Sequence, residues 1–250
     1  MTDPNSSISP SIQSQAQDSG SSHQHPISTS SHPQRDPTVN VGDHSSSHGA
    51  SRGEPATAAS TAAELASLTI SLRSALRQFP DFPSPGILFE DIMPIFANPT
   101  THTSLIRALE LHVLQAFGGS KPDIVVGLDA RGFLFGPSLA LRLNAGFVPV
   151  RKRGKLPGPT ETASYKKEYG EDFFQLQSDA IKTGQKVLIV DDIIATGGSA
   201  YAAGSLVKTL GGSLMGYVFI LELDFLKGRD LLDAPVYTLL SSQESALSSS

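Results

Sequence analysis

The sequence predicts an α/β domain, in which helices flank a central and mainly parallel β-sheet, preceded by a long disordered segment. Two observations predict the domain. Short, almost continuously apolar runs rich in β-branched residues recur in the second half of the chain, and stretches with helical periodicity separate them. Strands that are apolar on both faces are typical of parallel sheets covered by helices. A third observation, the composition of the first 60 residues, predicts the disordered segment.

The chain of 250 residues consists of two chemically different parts. Residues 1–60 contain no aromatic residue and no lysine, and they are rich in Ser, Pro, Gln, Thr and His. Such a segment buries too little apolar surface to offset the conformational entropy that folding removes. We therefore expect a disordered tail over residues 1–61, a folded domain over 62–242 and a polar C-terminal tail over 243–250.

The composition also excludes several classes of function. The chain has no Cys, which excludes a disulfide framework, a thiolate zinc site and a thiol nucleophile, and which suits the cytoplasm. No apolar run approaches the ~18 residues of a membrane helix, so we expect no membrane contact. The net charge of −5 argues against nucleic-acid binding, which needs a basic surface. The tail histidines are spaced too irregularly to predict a metal site.

The predicted elements follow one another in the order that such a domain requires. Leucines at three- and four-residue steps predict an amphipathic helix over 62–79, which the Pro-rich run 79–87 ends. A second helix is predicted over 104–119. Strands are then predicted at 123–127, 146–150, 186–191, 215–223 and 235–240, with helices at 133–143 and 198–210 between them. Ligands of parallel sheets bind at the carboxyl ends of the strands, where functional residues are therefore expected.

The strongest functional signal is the sequence VLIVDDIIATGGSA at 187–200. A buried strand ends there in Asp191 and Asp192, and a Gly-rich loop leads into a helix. Glycines let backbone N–H groups approach an anion, and the start of a helix adds unsatisfied donors and a favourable dipole. These features predict a phosphate-binding loop formed by Ala195, Thr196, Gly197, Gly198 and Ser199. No Gly-Lys-Ser/Thr follows, so a nucleoside-triphosphate loop is disfavoured.

The acidic pair in front of this loop narrows the predicted ligand. Two carboxylates beside a phosphate repel it unless a group between them uses their charge. The vicinal hydroxyls of a ribose do so as hydrogen-bond donors, and the pattern therefore predicts a ribose phosphate. The alternative is an ordinary helix start that follows a polar strand end.

Two other segments are predicted to lie near this site. GLDARGFLFG at 127–136 places Asp129 and Arg131 at another strand end, where Arg131 can hold a pyrophosphate; a local salt bridge between the two residues is the alternative. The basic segment 151–170 follows a further strand directly. We interpret it as a lid that closes over an anion site, with a solvated surface loop as the alternative.

In this order, the segments resemble the adenine phosphoribosyltransferases, a family of type I phosphoribosyltransferases. The resemblance extends from about residue 72 to 240 and is carried by FPDFPSPGILFEDI, GLDARGFLFGPSLA, RKRGKLPGPT, EYG, VDDIIATGGSA and LKGRDLL. It implies the type I phosphoribosyltransferase fold, with a small N-terminal hood over the base site. It also implies a homodimeric, Mg²⁺-dependent enzyme of purine salvage. Such an enzyme transfers the phosphoribosyl group of 5-phosphoribosyl-1-pyrophosphate (PRPP) to adenine, which gives AMP and pyrophosphate.

The resemblance also implies roles for individual residues around the sugar. The loop 195–199 holds the 5′-phosphate, and Asp191 and Asp192 bind the ribose hydroxyls, with Mg²⁺ expected on PRPP near them. The pyrophosphate faces Arg131, together with Arg151 and Lys155.

Further roles concern the purine and its proton. The resemblance implies that the purine lies between Phe89 and Leu223, and that main-chain groups around Leu88 and Glu90 read its edge. Glu168 on the lid is implied to manage the proton that the purine loses. Without the resemblance, Phe89 and Leu223 are ordinary core residues.

Two alternatives remain open from the sequence. A phosphoribosyltransferase for another base, such as xanthine, hypoxanthine or orotate, would share the phosphate loop. Orotate would call for cationic groups that the segment 79–92 does not supply. A non-catalytic relative that binds the sugar phosphate as a regulatory signal would need an output module, and the acidic tail is not a DNA-binding domain.

Overall fold

The computed structural model describes residues 54–82, 85, 88–166 and 171–240. The helices are α1 (Glu54–Ser74), α2 (Met93–Ala97), α3 (Pro99–Ala116), α4 (Gly136–Leu143) and α5 (Gly198–Thr209). The strands are β1 (Arg77–Pro80), β2 (Leu88–Asp91), β3 (Ile124–Leu128), β4 (Gly146–Lys152), β5 (Thr160–Lys166), β6 (Glu171–Gln177), β7 (Lys186–Ile194), β8 (Ser213–Glu222) and β9 (Val236–Leu240). The predicted C-terminal tail 243–250 and the first 53 residues of the predicted tail lie outside the described residues.

A seven-stranded sheet occupies the centre, in the order β5-β6-β4-β3-β7-β8-β9. Five neighbouring strands are parallel to one another: β4, β3, β7, β8 and β9. Val126 of β3 lies between Val148 of β4 and Ile189 of β7. Strand β6 is antiparallel to both β4 and β5. The predicted α/β fold with a mainly parallel sheet is confirmed. Within the described residues, no helix has the length and the apolar character that crossing a bilayer requires.

The sheet separates two hydrophobic cores. Successive side chains of a strand point to opposite faces, and those of β7 alternate accordingly. Leu188 and Val190 pack with residues of α1, α3 and α4, whereas Val187 and Ile189 pack with residues of α5. Both faces of the central strands are therefore buried, which explains why they are almost continuously apolar in the sequence.

Helix α1 differs from its prediction at both ends. It begins at Glu54 and ends at Ser74, whereas the leucine pattern predicts a helix over 62–79. The residues after it form β1, which pairs with β2 in an antiparallel sheet of two strands. Pro80 disfavours helical backbone at the residue before it, Phe79, and residues 77–80 pair with β2 and do not continue the helix.

The two-stranded sheet lies at the position that the resemblance assigns to the hood. Asp91, at the end of β2, accepts hydrogen bonds from the Arg77 guanidinium at 2.5 Å and from the Met93 backbone N–H at 2.9 Å. Its carboxylate is largely buried. Hydrogen bonds to a charged group are stronger than neutral ones, so Asp91 ties β1, β2 and the start of α2 together.

The predicted lid contains regular structure that the sequence did not suggest. Strand β4 continues to Lys152, an irregular turn follows, and β5 and β6 form an antiparallel pair with Tyr165 opposite Asp172. Strand β5 lies at the edge of the sheet, and its sequence TETASYK is mostly polar. A polar edge strand lacks the apolar run by which the other strands were predicted. Residues 167–170, with Glu168, lie outside the described residues.

Candidate active site

The candidate site lies where the parallel strands β3, β4, β7 and β8 end. Asp129 follows β3, Arg151 lies near the end of β4, and Asp191 and Asp192 lie in the last half of β7. Because these strands are neighbours and run in the same direction, their carboxyl ends meet at one edge of the sheet. Residues that are up to 63 positions apart in the sequence, such as Asp129 and Asp192, are thereby brought together.

The acid pair is held in an unfavourable electrostatic environment. The Asp192 side chain is 7% exposed. Burial raises the pKa of Asp191 well above the usual range, and the neighbouring charge of Asp192 raises it further. Burial also raises the pKa of Asp192, although Arg131 opposes that shift. Two adjacent carboxylates with so little compensating charge favour a ligand that brings hydrogen-bond donors or a cation.

Two arginines pair with acids of the site, but not in the way a local turn would arrange them. Arg131 donates from Nε to Asp192 across a distance of 2.7 Å, so its partner lies on β7 and not at the nearby Asp129. Asp129 instead accepts from Nε of Arg151 at 3.2 Å. Both pairs therefore join neighbouring strands. The alternative of a local salt bridge between Asp129 and Arg131 is not what the structure contains.

Arg151 and Lys155 lie at the start of the predicted lid. The guanidinium carbon of Arg151 lies 5.9 Å from the centre of the Phe133 ring, and its Nη1 approaches the Lys155 carbonyl oxygen at 3.5 Å. Lys155 itself is exposed in the turn after β4. The structure thus fixes Arg151 from several sides and leaves the lysine ammonium in solvent.

The predicted phosphate loop has the backbone geometry that anion binding requires. Gly197 is the N-cap of α5 and has a φ of +81°, a conformation that residues with a Cβ rarely adopt. No side chain caps the helix. The N–H groups of its first turn thus have no side-chain acceptor, and they carry the positive end of the helix dipole. Such an N-terminus is suited to a phosphate.

A cavity of about 210 Å³ lies between the hood and the ends of β7 and β8. The residues that line it come from four parts of the chain: Phe89, Glu90, Asp91, Ile92, Met93, Arg131, Asp192, Ile193 and Leu221. One wall is the Phe89 ring, which contacts Phe82 edge to face with 5.0 Å between ring centres. The Glu90 carboxylate accepts a hydrogen bond from Gln78 at 3.2 Å and is thereby held in the hood. An apolar cavity with a polar end suits a flat heterocycle.

The structure places the residues implied for the base as follows. Phe89 and Glu90 line the cavity, and Leu88 precedes them in β2. Leu223 follows β8 and donates its backbone N–H to the Ile194 carbonyl at 2.9 Å, but it is not among the lining residues. Its contact with a purine stays a prediction.

Sequence reasoning missed two apolar residues of the cavity. Ile193 and Leu221 lie opposite each other in the paired strands β7 and β8, and both line the cavity. Their positions near two strand ends are the signal that could have found them, since ligands bind at such ends.

Tyr165 on β5 is a further polar residue near the acids. Its hydroxyl donates to Asp172 at 3.2 Å, and its ring packs against Phe174 with 4.8 Å between ring centres. Burial raises the pKa of Tyr165 to about 12, with contributions from the charges of Asp172, Asp191 and Asp129. The hydroxyl is therefore protonated near neutral pH. No motif in the sequence points to this residue.

Comparison with known proteins identifies relatives with the same organisation. A family model described as a phosphoribosyl transferase domain matches residues 95–248. The adenine phosphoribosyltransferase of Yarrowia lipolytica is 62% identical over 173 residues, which are 69% of this chain and 95% of that protein. Adenine phosphoribosyltransferase 1 of Saccharomyces cerevisiae is 60% identical over 176 residues, which are 70% of this chain and 94% of the relative.

Solved structures give the same result. The fold is similar to adenine phosphoribosyltransferase from Saccharomyces cerevisiae in complex with an imino-altritol bisphosphate and adenine, at a TM-score of 0.68 and 60% identity. That match covers 70% of this chain and 99% of the other. The enzyme from Trypanosoma brucei, in complex with AMP, pyrophosphate and ribose-5-phosphate, matches at a TM-score of 0.61 and 27% identity, over 70% of this chain and 79% of the other. The chain belongs to the phosphoribosyltransferase family and, within it, to the adenine phosphoribosyltransferases.

Proposed function

We propose that this chain catalyses the transfer of the 5-phosphoribosyl group from PRPP to adenine, with AMP and pyrophosphate as products, in purine salvage. The observation that carries the proposal is a single edge of the sheet on which three features meet. They are an apolar cavity below Phe89, the acid pair of half-buried Asp191 and buried Asp192, and the uncapped start of α5. These match the base, the ribose and the 5′-phosphate of a nucleotide in the order in which a nucleotide joins them.

The loop 195–199 is proposed to bind the 5′-phosphate. Its backbone N–H groups and the Thr196 and Ser199 hydroxyls supply the hydrogen-bond donors, and the α5 dipole favours the negative charge. Asp191 and Asp192 are proposed to accept hydrogen bonds from the ribose hydroxyls, which bring to the acid pair the donors that it lacks. These contacts hold the sugar while its C1′ atom changes partners, so they contribute chiefly by positioning.

The departing pyrophosphate is assigned to Arg131, Arg151 and Lys155. The bond between C1′ and the pyrophosphate oxygen breaks as positive charge builds on the ribose and negative charge on the leaving group. Cationic side chains that face the leaving group stabilise that charge. Arg131 and Arg151 bind Asp192 and Asp129 at 2.7 and 3.2 Å, and each is expected to shift a hydrogen bond toward the pyrophosphate as PRPP binds.

Adenine is proposed to occupy the cavity under the hood. Phe89 would cover one face of the purine, and an aliphatic residue near the end of β8, Leu221 or Leu223, the other. Main-chain groups around Leu88 and Glu90 are assigned to the purine edge, since the Glu90 carboxylate already accepts from Gln78. Main-chain donors and acceptors distinguish the amino group of adenine from the carbonyl of hypoxanthine, because a mismatch leaves polar groups unpaired.

Glu168 is assigned to the proton that adenine loses as its ring nitrogen attacks C1′. A carboxylate that approaches the nitrogen can accept this proton as a general base. The segment 151–170 is proposed to exclude water from the site during the reaction, because water would hydrolyse the activated sugar.

The residues at the site fit a substrate-bound Mg²⁺. Within the described part of the chain, no group of three or more carboxylates or imidazoles could hold a metal ion by itself. Asp191 and Asp192 nevertheless offer carboxylate oxygens, and Mg²⁺ is commonly bound by one or two carboxylates together with substrate phosphates. We assign Mg²⁺ to PRPP near this pair. When bound, the ion would neutralise charge on the pyrophosphate.

A cytoplasmic homodimer is also part of the proposal. The family resemblance implies the dimer, and the chain carries exposed apolar side chains that a second copy would cover. Leu141 on α4 is 81% exposed, and Leu134, in the turn before α4, is 42% exposed. The absence of Cys suits a reducing compartment.

A panel of bases tests the function most directly. The purified chain, PRPP and Mg²⁺ are incubated with adenine, hypoxanthine, guanine or orotate, and nucleotide formation is measured. We expect AMP from adenine and at least a 100-fold lower kcat/KM for the other bases, since a polar mismatch in a buried site costs several kcal/mol. Turnover of hypoxanthine at a comparable rate would exclude the assignment to adenine.

A further inference from the structure

The segment after β8 carries a buried charge that the reaction described above does not use. Glu222, the last residue of β8, is 4% exposed. Its Oε1 accepts from Nε of Arg229 at 2.6 Å, a second guanidinium nitrogen of Arg229 reaches Oε2, and the Thr238 hydroxyl lies 3.4 Å from Oε2. Both carboxylate oxygens are therefore engaged within the protein. A fork of this kind is the strongest ion-pair geometry available to a carboxylate.

The ion pair closes a short loop beside the phosphate loop. The chain leaves β8 next to the end of β7, where the Leu223 N–H donates to the Ile194 carbonyl at 2.9 Å. It then forms two short 3₁₀ turns, at Asp224–Leu226 and Gly228–Leu231. Arg229 lies in the second turn, and its side chain reaches back to Glu222 at the start of the loop. The pair thus fixes both ends of a segment of eight residues.

Gly228 of that segment approaches the phosphate loop through backbone atoms. Gly228 is buried, and a Cβ placed on it would lie 2.1 Å from the Ala195 carbonyl oxygen and 2.8 Å from the Gly197 nitrogen. In the reverse direction, a Cβ on Gly197 would lie 2.2 Å from the Gly228 carbonyl oxygen. Real Cβ contacts are never so short, so the two backbones are in direct contact and one cannot move without the other.

We propose that the Glu222–Arg229 ion pair positions the phosphate loop, through the contact of Gly228 with Ala195 and Gly197. The inference rests on the proposed role of the loop in binding the 5′-phosphate. A loop that binds an anion by backbone N–H groups depends on their directions, and a displacement of about 1 Å misaligns them. Glu222 and Arg229 touch no substrate in this arrangement. They are positioning residues for the phosphate end.

The test compares AMP with adenosine, which lacks the phosphate. The ratio of the two dissociation constants, measured by titration calorimetry, isolates what the loop contributes. The variants are Arg229→Met, which removes the fork, Glu222→Gln, which weakens it, and Gly228→Ala, which disturbs the contact directly. We expect each to weaken AMP binding by about 10-fold or more while adenosine changes by less than about 3-fold, where a factor of ten corresponds to ~1.4 kcal/mol.

Arg107→Met is the matched control. Arg107 forms a similar fork with Glu64, at 2.8 and 3.0 Å, between α3 and α1. Its loss removes an ion pair of the same kind from a different part of the fold. The control is expected to leave the ratio of AMP to adenosine affinity unchanged, even where its melting temperature falls.

The outcomes separate the inference from the function on which it rests. If the unaltered chain binds AMP no better than adenosine, the loop is not the phosphate site and the assignment of 195–199 fails. If it prefers AMP and Arg229→Met keeps that preference, the positioning role is excluded. If Glu222→Gln strengthens AMP binding, the freed Arg229 contacts the phosphate itself, which also overturns the inference. Gly228→Ala that fails to fold leaves the two ion-pair variants to decide.

Discussion

The acid pair in β7 and Glu110 on α3 are both carboxylate sites beside arginines, yet their pKa values shift in opposite directions. Burial alone would raise the pKa of Glu110, but hydrogen bonds from Arg142 at 2.5 Å and Arg107 at 3.0 Å outweigh it and lower the pKa. At the site, burial raises the pKa of Asp191 and Asp192, and a single guanidinium, that of Arg131, opposes it.

The difference lies in the ratio of cations to carboxylates. In the helical layer two arginines serve the carboxylates of Glu110 and Glu64, with Arg107 shared between them, whereas one arginine serves two adjacent carboxylates at the site. The first arrangement is complete and stabilises the packing of α1, α3 and α4. The second leaves negative charge uncompensated in a partly buried place, which costs stability and is typical of residues kept for binding.

The largest expected effect comes from removal of both charges at the site. Asp191→Asn combined with Asp192→Asn keeps the shape of the side chains but abolishes their repulsion. We expect kcat/KM with PRPP to fall by about 100-fold or more, by analogy with the loss of a preorganised polar group. The melting temperature should stay the same or rise, because burying the charges was unfavourable. Steady-state kinetics and calorimetric melting measure the two quantities.

Two results would contradict these expectations, one for the kinetics and one for the melting temperature. Unchanged kinetics would exclude the ribose role of the pair. A large decrease of the melting temperature would mean that the acids stabilise the fold, and would remove the contrast with Glu110.

Glu110→Gln is expected to have an effect of intermediate size and of the opposite kind: it lowers stability and leaves the kinetics almost unchanged. The substitution leaves Arg107 and Arg142 without their shared acceptor, so the free energy of unfolding should fall by about 1–3 kcal/mol, the usual cost of a broken, partly buried ion pair. The kinetic constants should change by less than about 2-fold, because Glu110 touches no part of the site. Urea denaturation checks the stability.

The more exposed Glu64 offers a control for this variant. Glu64→Gln removes an exposed partner of Arg107 and should lower the free energy of unfolding by clearly less than Glu110→Gln does, because solvent screens an exposed ion pair. Equal losses for the two variants would show that burial is not what distinguishes Glu110.

The smallest expected effect concerns a histidine in the helical layer. His112 on α3 packs against Tyr237, and within the described residues its Nε2 has no hydrogen-bond partner. Burial lowers the pKa of His112 below its usual 6.5. The folded state therefore keeps the ring neutral, while the unfolded chain accepts a proton near pH 6.5. The stability that this provides is complete above pH 6.5 and is lost as the pH falls below it.

His112→Phe should remove this dependence and keep the aromatic contact. We expect the melting temperature of the unaltered chain to decrease more between pH 7.5 and 5.5 than that of the variant, as measured by differential scanning calorimetry. Parallel curves would show that His112 is solvated or paired when protonated.

The geometry of the proposed phosphate end could be predicted from the sequence more fully than that of the proposed base end. Strand β7, the acids and the loop to Ser199 are contiguous in the chain, so their arrangement follows from local rules for strands, glycines and helix starts. The cavity proposed for the base is lined mainly by β2 and the residues after it, by Arg131 after β3, and by the ends of β7 and β8. No local pattern specifies that Ile193 and Leu221 face Phe89, since this depends on the pairing of distant strands.

Two other features of the structure could not be predicted from the sequence. The pairing of Arg131 with Asp192, in place of Asp129, follows from the order of β3 and β7 in the sheet, which a single sequence does not encode in any short motif. Strand β5 was missed because its polar edge position removes the apolar run on which strand prediction depends, and β6 was missed because polar residues interrupt its apolar ones.

The alternation of β7 between the two cores has a consequence for how the chain can change in length. Val187 and Ile189 belong to one core, and Leu188 and Val190 to the other, up to the point where Asp191 begins the site. Insertion or deletion of one residue in this strand would exchange the two sets of side chains and reverse the direction of both acids. Turns such as 153–159 carry no such constraint. Insertions and deletions in this enzyme are therefore expected in its connecting segments and not in β7, because the register of β7 determines which way both acids point.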